Sequence, residues 1–354
     1  MDAPPAAAPA ARLILDLDAL AANWRAACRM AAGAEVAAVV KANAYGLGVE
    51  PVARRLWREG ARQFLVAQWA EAAALRAILP QADIGVFNGL LPEDMPLALA
   101  GVATPVINTM AEATRWAQAA PGRRAHLMVD TGINRLGVDP ADLAALPAGL
   151  AVDLMMSHLA CAGDPGHPMN ARQRAALAAL PAIGRARSLA ASHGLRLGAG
   201  FRFDHVRPGL CLYGGSGAPF GAVARIEARV LQLRAIPAGA TVGYDATWTA
   251  ARPSRLATLG LGYADGFRRG LSNLGWAEIE GARVPVAGRV SMDLTVFDVT
   301  GVAGVGEGDW VRLGFDLPAL AAASGLAEYE LLTGLGRRFA RVEEDRSLPV
   351  RTAA

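Results

Sequence analysis

The sequence is almost devoid of lysine: of its 35 basic residues, every one but Lys41 is arginine. GC-rich coding accounts for a preference for arginine but not for one retained lysine. The two residues exchange freely on a solvated surface. They do not exchange where a deprotonated amine must attack a carbonyl, because a guanidinium stays protonated. Cysteine is scarce as well. Cys28, Cys161 and Cys211 stand far apart with no C-x-x-C pair, and three thiols cannot all pair within one chain. A reducing compartment is the simpler expectation. Charged residues make up only 19% and the net charge is +3, without a basic stripe interleaved with aromatics, so a nucleic-acid partner is not expected. No window reaches the roughly 18 uninterrupted apolar residues of a membrane span. The opening MDAPPAAAPAARLILDLD lacks a basic segment followed by an apolar one, so it does not read as a signal peptide. A soluble cytoplasmic protein without a metal site is expected.

What is present is a long, apolar, globular chain. Its 354 residues, 53% hydrophobic, suit two domains. Residues 1–11 read as an Ala/Pro-rich disordered tail. Over 12–222, short apolar runs alternate with Ala-rich helical stretches. The candidate strands are VAAVV (36–40), FLVA (64–67), IGVF (84–87), ATPVI (103–107), HLMV (126–129), VDLMMS (152–157), LRL (195–197) and VRPGL (206–210). Eight strands with helices between them predict an α/β fold, a (β/α)8 TIM-like barrel. A helix is expected over 170–192, capped by Asn170. The LILDL run at 13–17 precedes the barrel strands and is free to pair elsewhere. Over 223–354, strand-like runs separated by Gly, Pro and Asp predict a mainly antiparallel β domain.

Barrel enzymes place their chemistry on the loops that follow the strands. Lys41 follows EVAAVV and opens KANAYGLG, where apolar walls lower an amine's pKa and make it a nucleophile and base. Tyr45 lies four residues on, within reach of a phosphate or substrate oxygen, and Gly46 and Gly48 permit a tight bend.

VVKANAYGLG (39–48) resembles the cofactor-lysine signature of the alanine racemases, with Leu47 where a histidine is common. Further motifs follow in the family's order: DTGINRLG (130–137), SHLACAGDPGHPMN (157–170), VRPGLCLYGG (206–215), VGYDATW (242–248), GYADGFRR (262–269), GRVSMDL (288–294) and YELLTGLGRRFARV (329–342). The resemblance implies pyridoxal 5′-phosphate (PLP) held on Lys41, and a homodimer that racemises alanine for cell-wall peptidoglycan. Lys41 and Tyr263, the latter supplied by the partner subunit, are then the two bases on opposite faces of the substrate. Arg207 is matched to the residue at the cofactor's pyridine nitrogen and His158 to the bridge between Arg207 and Tyr263. Arg135 is matched to the substrate carboxylate, and Met292 offers its backbone N–H there. Tyr45, the Gly209 and Leu210 amides and Arg337 are the residues matched to the phosphate. Without the resemblance, Arg207 reads as a barrel-rim ion pair, Tyr263 as a packed core tyrosine and His158 as a satisfied polar group.

Three positions depart from the family pattern. Met128 stands where some members carry a carbamylated lysine that steadies the arginine. Arg337 replaces a tyrosine at the phosphate. GAGFRFDH (198–205) is shorter than the family's segment, so an Asn-Ser whose hydroxyl contacts phosphate is expected to be missing. Alternatives are a broader-specificity racemase, a non-catalytic PLP-binding barrel, a PLP decarboxylase and, as a surviving variant of the second, a racemase-like protein whose turnover is reduced or lost through the shortened segment. The region after 222, with GYADG and SMD, argues against the second; the third lacks a match to its β-domain cysteine motif.

Overall fold

The structure is a computed structural model, and it describes residues 8–346. The chain divides into two compact units, residues 20–221 and residues 1–19 with 222–354.

The first unit is a closed barrel of eight parallel strands. With β1 (Ala11–Asp16) lying outside it, these are β2 (Glu35–Val39), β3 (Gln63–Val66), β4 (Asp83–Val86), β5 (Thr104–Ile107), β6 (Arg124–Met128), β7 (Ala151–Met156), β8 (Ala186–Ala191) and β9 (His205–Arg207). Parallel strands covered by helices are buried on both faces, which accounts for unbroken apolar runs such as Phe64–Val66, none more than 3% exposed. The helix Trp69–Ile78 begins with the Glu71 carboxylate folded back to accept the Ala67 and Gln68 amides at 2.8 and 3.1 Å.

Two expectations in the barrel need correction. The helix placed over 170–192 runs only from Pro168 to Ala179, with His167 as its cap; Asn170 is buried inside it. Pro181 and Gly184 end the helical run, and ARSLAA then forms β8. LRL (195–197) is consequently not a strand but part of a 3-10 turn, Gly194–Leu197. The connection between the last two barrel strands is therefore residues 192–204, longer than the eight residues first assigned to it.

The second unit is mainly antiparallel. Its spine is β10 (Ala224–Ile236), whose buried positions alternate over Ala224–Val230 as a half-buried strand requires. Strand β1 pairs with it, Leu13 opposite Ile226, and also pairs in parallel with Ala340–Glu344. The barrel unit thus starts at Leu20, not at 12, and LILDL does pair outside the barrel. Of the expected tail 1–11, residues 1–7 lie outside the described residues and Ala11 already belongs to β1. Beyond an irregularity between Val230 and Gln232, β10 pairs with Ser254–Leu259, which pairs with Thr295–Asp298. Among the described residues no helix is long and apolar enough to cross a membrane.

Candidate active site

The end of β2 is held from three sides. Val40 donates its amide to Leu65 at 2.9 Å, Val39 donates to Pro208 at 2.9 Å, and the Tyr213 hydroxyl donates to the Val39 carbonyl at 2.9 Å. Lys41 comes next, and the chain then makes a left-handed turn in which Ala42, Asn43, Ala44 and Tyr45 have φ of 53°, 54°, 53° and 55°. Glu71 accepts the Ala42 amide at 2.5 Å and Asn43 Oδ1 accepts the Val49 amide at 2.8 Å. Burial lowers the Lys41 pKa, and the Arg135 charge lowers it further against an opposing pull from Glu71. The amine is thereby biased toward the neutral, nucleophilic form.

The left-handed turn places Tyr45 inside, its ring 4.8 Å from that of Tyr213. A Cβ on Gly209 would stand 2.3 Å from the Tyr45 hydroxyl and 3.2 Å from Val39, so only glycine fits there. Ser192, directly after β8, brings a second hydroxyl to the same place. Its Oγ accepts the Gly209 amide at 3.0 Å and the Cys211 amide at 3.2 Å. A serine hydroxyl does stand in the connection between the last two barrel strands, at Ser192, ahead of the segment 198–205 expected to lack one. The Gly209 amide, expected to face a phosphate, is committed to Ser192 instead. Leu210 is fully buried in the turn that follows.

Deeper in the barrel, Arg207 on β9 is 2% exposed. It donates to the Ser157 carbonyl at 2.5 Å and to the Ser188 hydroxyl, and Ser188 donates in turn to the His205 carbonyl at 2.6 Å. No carboxylate pairs with it among the described residues, so it is not the ion pair that an arginine on a barrel strand first suggests. Burial brings its pKa down to about 10, which leaves it charged at neutral pH. His158, just beyond β7, is driven down to about 3 by burial and then by Arg207, Arg135 and Lys41, and is a neutral imidazole. Arg135 is exposed on a loop whose turn is tied by Asp130 Oδ1 to the Gly132 and Ile133 amides at 2.7 and 3.0 Å. Met128 packs with Val106, Leu154 and Met156 and brings no charge to that loop.

Lys41, Arg135 and Arg207 thus bear on one neutral histidine, and among the described residues Glu71 is the acid that acts on Lys41. Two hydroxyls converge on a glycine nearby in the chain's barrel mouth. A donor set of this kind fits an anion with phosphate and carboxylate groups and a carbonyl for the lysine, which PLP and an amino acid together supply.

In the second unit, Tyr263 opens a short turn, Tyr263–Asp265. Its amide donates to Ser291 at 3.0 Å and the Ala264 amide to Met292 at 3.0 Å, so GYADG and SMD are tied together. Gly262 permits this: a Cβ there would come within 2.3 Å of the Met292 carbonyl. Asp265, 4% exposed, accepts the Gly262 amide at 2.9 Å and two bonds from Arg338, at 2.8 and 2.9 Å. Arg338 also reaches Asp293 at 2.7 Å. The Asp265–Arg338–Asp293 set was not anticipated, although GYADG, SMD and GRRF already flank it in sequence. Met292 is 54% exposed, and the neighbouring Arg337 is exposed.

Comparison with known proteins gives the same picture. The pattern described as "Alanine racemase, N-terminal domain" matches residues 15–217, and "Alanine racemase, C-terminal domain" matches 223–343. The chain is 46% identical to an alanine racemase of Acidiphilium cryptum over 349 residues, covering 93% of this chain and 98% of that one. It is 41% identical to a biosynthetic alanine racemase of Agrobacterium fabrum, with 93% of each covered. A crystal structure of alanine racemase from Bartonella henselae with covalently bound pyridoxal phosphate superposes with a TM-score of 0.88 at 37% identity, covering 96% of this chain and all of that one. With both domain patterns matched in order and the lysine-bearing barrel and tyrosine-bearing β unit in place, the chain belongs to the alanine racemase family.

Proposed function

We propose that this chain is a PLP-dependent racemase that interconverts L- and D-alanine, using Lys41 and Tyr263 as its two proton carriers. The observation that carries the reading is Lys41 itself: the sequence's one lysine, at the mouth of the barrel, with its charged form disfavoured by burial and by Arg135. When bound, PLP draws off the electron pair that the departing α-proton of an amino acid leaves behind. Everything else falls to the protein.

Lys41 attaches the cofactor and then exchanges the α-proton on one face. Tyr263 of a second subunit exchanges it on the other, since inversion requires delivery from the side opposite removal. Arg207 holds the cofactor's ring nitrogen with a donor that does not give up its proton, restraining side reactions that a fully protonated ring favours. His158, neutral and able to donate and accept, links Arg207 to Tyr263. Tyr45 and Ser192 hold the phosphate with their hydroxyls, assisted by the Leu210 amide and by Arg337, while the Gly209 amide keeps Ser192 in position. Arg135 and the Met292 amide hold the substrate carboxylate. The assembly is a cytoplasmic homodimer, and its product is D-alanine for peptidoglycan.

Purification with PLP followed by an L-to-D alanine conversion assay tests the reading. Conversion in both directions is expected. PLP uptake without conversion would favour the non-catalytic alternative, which the Tyr263 unit argues against.

A further inference from the structure

A second polar cluster lies at the end of the barrel opposite Lys41, where the strands begin. It surrounds a cavity of about 380 Å³. In this fold that end ordinarily serves stability rather than chemistry, and nothing in the proposed reaction uses it.

Two buried histidines line the cavity, His126 at 7% and His205 at 4% exposure. A relay of hydrogen bonds fixes the tautomer of the second. Gln63 Nε2 donates to Glu35 at 2.7 Å, which turns Gln63 Oε1 toward His205 Nε2 at 2.5 Å. An amide oxygen only accepts, so His205 Nε2 carries the proton and Nδ1 is a bare acceptor. That Nδ1 has no partner, and neither does Nδ1 of His126. Burial keeps both rings neutral, with pKa values of about 3 and about 4 respectively.

The mouth carries excess negative charge. Asp83 and Asp153 are matched by two arginines: Arg124 reaches Asp83 at 3.0 Å, and Arg185 reaches Asp153 at 2.7 Å. Glu35 and Asp204 also line the cavity and have no cationic partner among the described residues. Among the residues lining the cavity, four carboxylates stand against two guanidiniums; the buried Arg207, whose charge acts on both imidazoles from within, leaves a balance of one negative charge, held at the mouth. Gly85 keeps the floor open, since a Cβ there would stand 3.4 Å from the His126 ring and 2.6 Å from Leu65. Among the described residues no group of His, Cys, Asp and Glu is arranged to hold a metal ion.

The unfilled acceptor on His205 and the unmatched carboxylates call for the same guest, one that brings N–H donors and positive charge. We propose that this basin binds a small organic cation of the ammonium or guanidinium class, between His126 and His205 within and Glu35 and Asp204 at the mouth.

The test uses PLP-loaded protein with ¹⁵N-labelled histidine, titrated with methylguanidinium chloride. A guanidinium is chosen because, unlike a primary amine, it does not condense with the aldehyde of PLP. The resonances of the five histidines are assigned by single substitutions. Saturable shifts of the His126 and His205 ring nitrogens are expected, while methylurea, neutral and of the same shape, and NaCl at matched ionic strength produce none. In the Glu35→Gln/Asp204→Asn variant the apparent Kd is expected to rise at least about tenfold. Absence of a saturable shift, an equal response to methylurea or NaCl, or unchanged binding in a folded double variant would each overturn the proposal. Should the variant not fold, the comparison of methylguanidinium with methylurea decides alone.

Discussion

Ser192 Oγ lies 3.0 Å from the amide nitrogen of Gly209 and accepts its proton, joining the end of β8 to the turn after β9. Because it accepts from the Cys211 amide as well, its own proton is what remains to donate, and the Cys211 sulfur is one acceptor within its reach. If that proton serves the cofactor's phosphate, Ser192→Ala removes one hydrogen bond to a charged group, worth roughly 1.5–3 kcal/mol. PLP affinity is then expected to fall about ten- to a hundredfold, as read by fluorescence titration of stripped protein. An unchanged Kd in a folded Ser192→Ala protein would remove Ser192 from the phosphate site.

Lys41 is the only side-chain amine, which makes its assignment unusually clean. Borohydride treatment of the PLP-loaded protein is expected to fix a pyridoxyl group on Lys41, read by peptide mass spectrometry. Lys41→Ala should lose both the label and racemisation, by on the order of 10³-fold or more for the latter. A label that persists elsewhere than the α-amino terminus contradicts the assignment.

For Tyr263, the two half-reactions separate. Tyr263→Phe is expected to slow racemisation by about 10²–10⁴-fold. Solvent deuterium exchange into L-alanine should be impaired more directly than exchange into D-alanine, and equal loss of both would count against opposite-face carriers. Mixing inactive Lys41→Ala and Tyr263→Phe chains should restore activity through hybrid dimers. No recovery after verified subunit exchange would mean that each site is built within one chain.

Acid should weaken the barrel from its far end. His126 and His205 are held at about 4 and about 3, against about 6.5 in an unfolded chain. Above pH 6.5 both states are neutral at these positions and the contribution is constant. Below it the unfolded chain takes up protons that the folded one refuses, so stability falls by about 1.4 kcal/mol per pH unit for each histidine until the folded pKa is reached. Urea unfolding of the parent and of His126→Gln between pH 7 and pH 4.5 should show the shallower dependence in the variant. Identical slopes would mean that His126 titrates normally.

How much of this the sequence disclosed follows from how local each signal is. Lys41, Tyr45 and Arg207 stand against strand ends that apolar runs mark plainly, and the structure places them there. Strand β8 was hidden because alanine serves helix and buried strand alike, and ARSLAA has little β-branched or aromatic content to separate it from the helix before it. Pro181 and Gly184 were the available signal, and missing them also concealed Ser192. The pairing of Asp265 with Arg338 spans 73 residues and has no local signature. The relay through Glu35, Gln63 and His205 joins three separate strands and is likewise visible only in the closed barrel.

The turn after Lys41 has one more consequence. Four successive L-residues there occupy the mirror image of the ordinary helical conformation, at roughly 1–2 kcal/mol each. For a D-residue the same backbone is the relaxed one. At positions 42 and 44 an enzyme that produces D-alanine holds two of its own L-alanines in the shape its product would prefer. Semisynthetic replacement of Ala42 by D-alanine should accordingly raise the melting temperature, whereas the same inversion at a barrel alanine with negative φ, such as Ala38 in β2, should lower it.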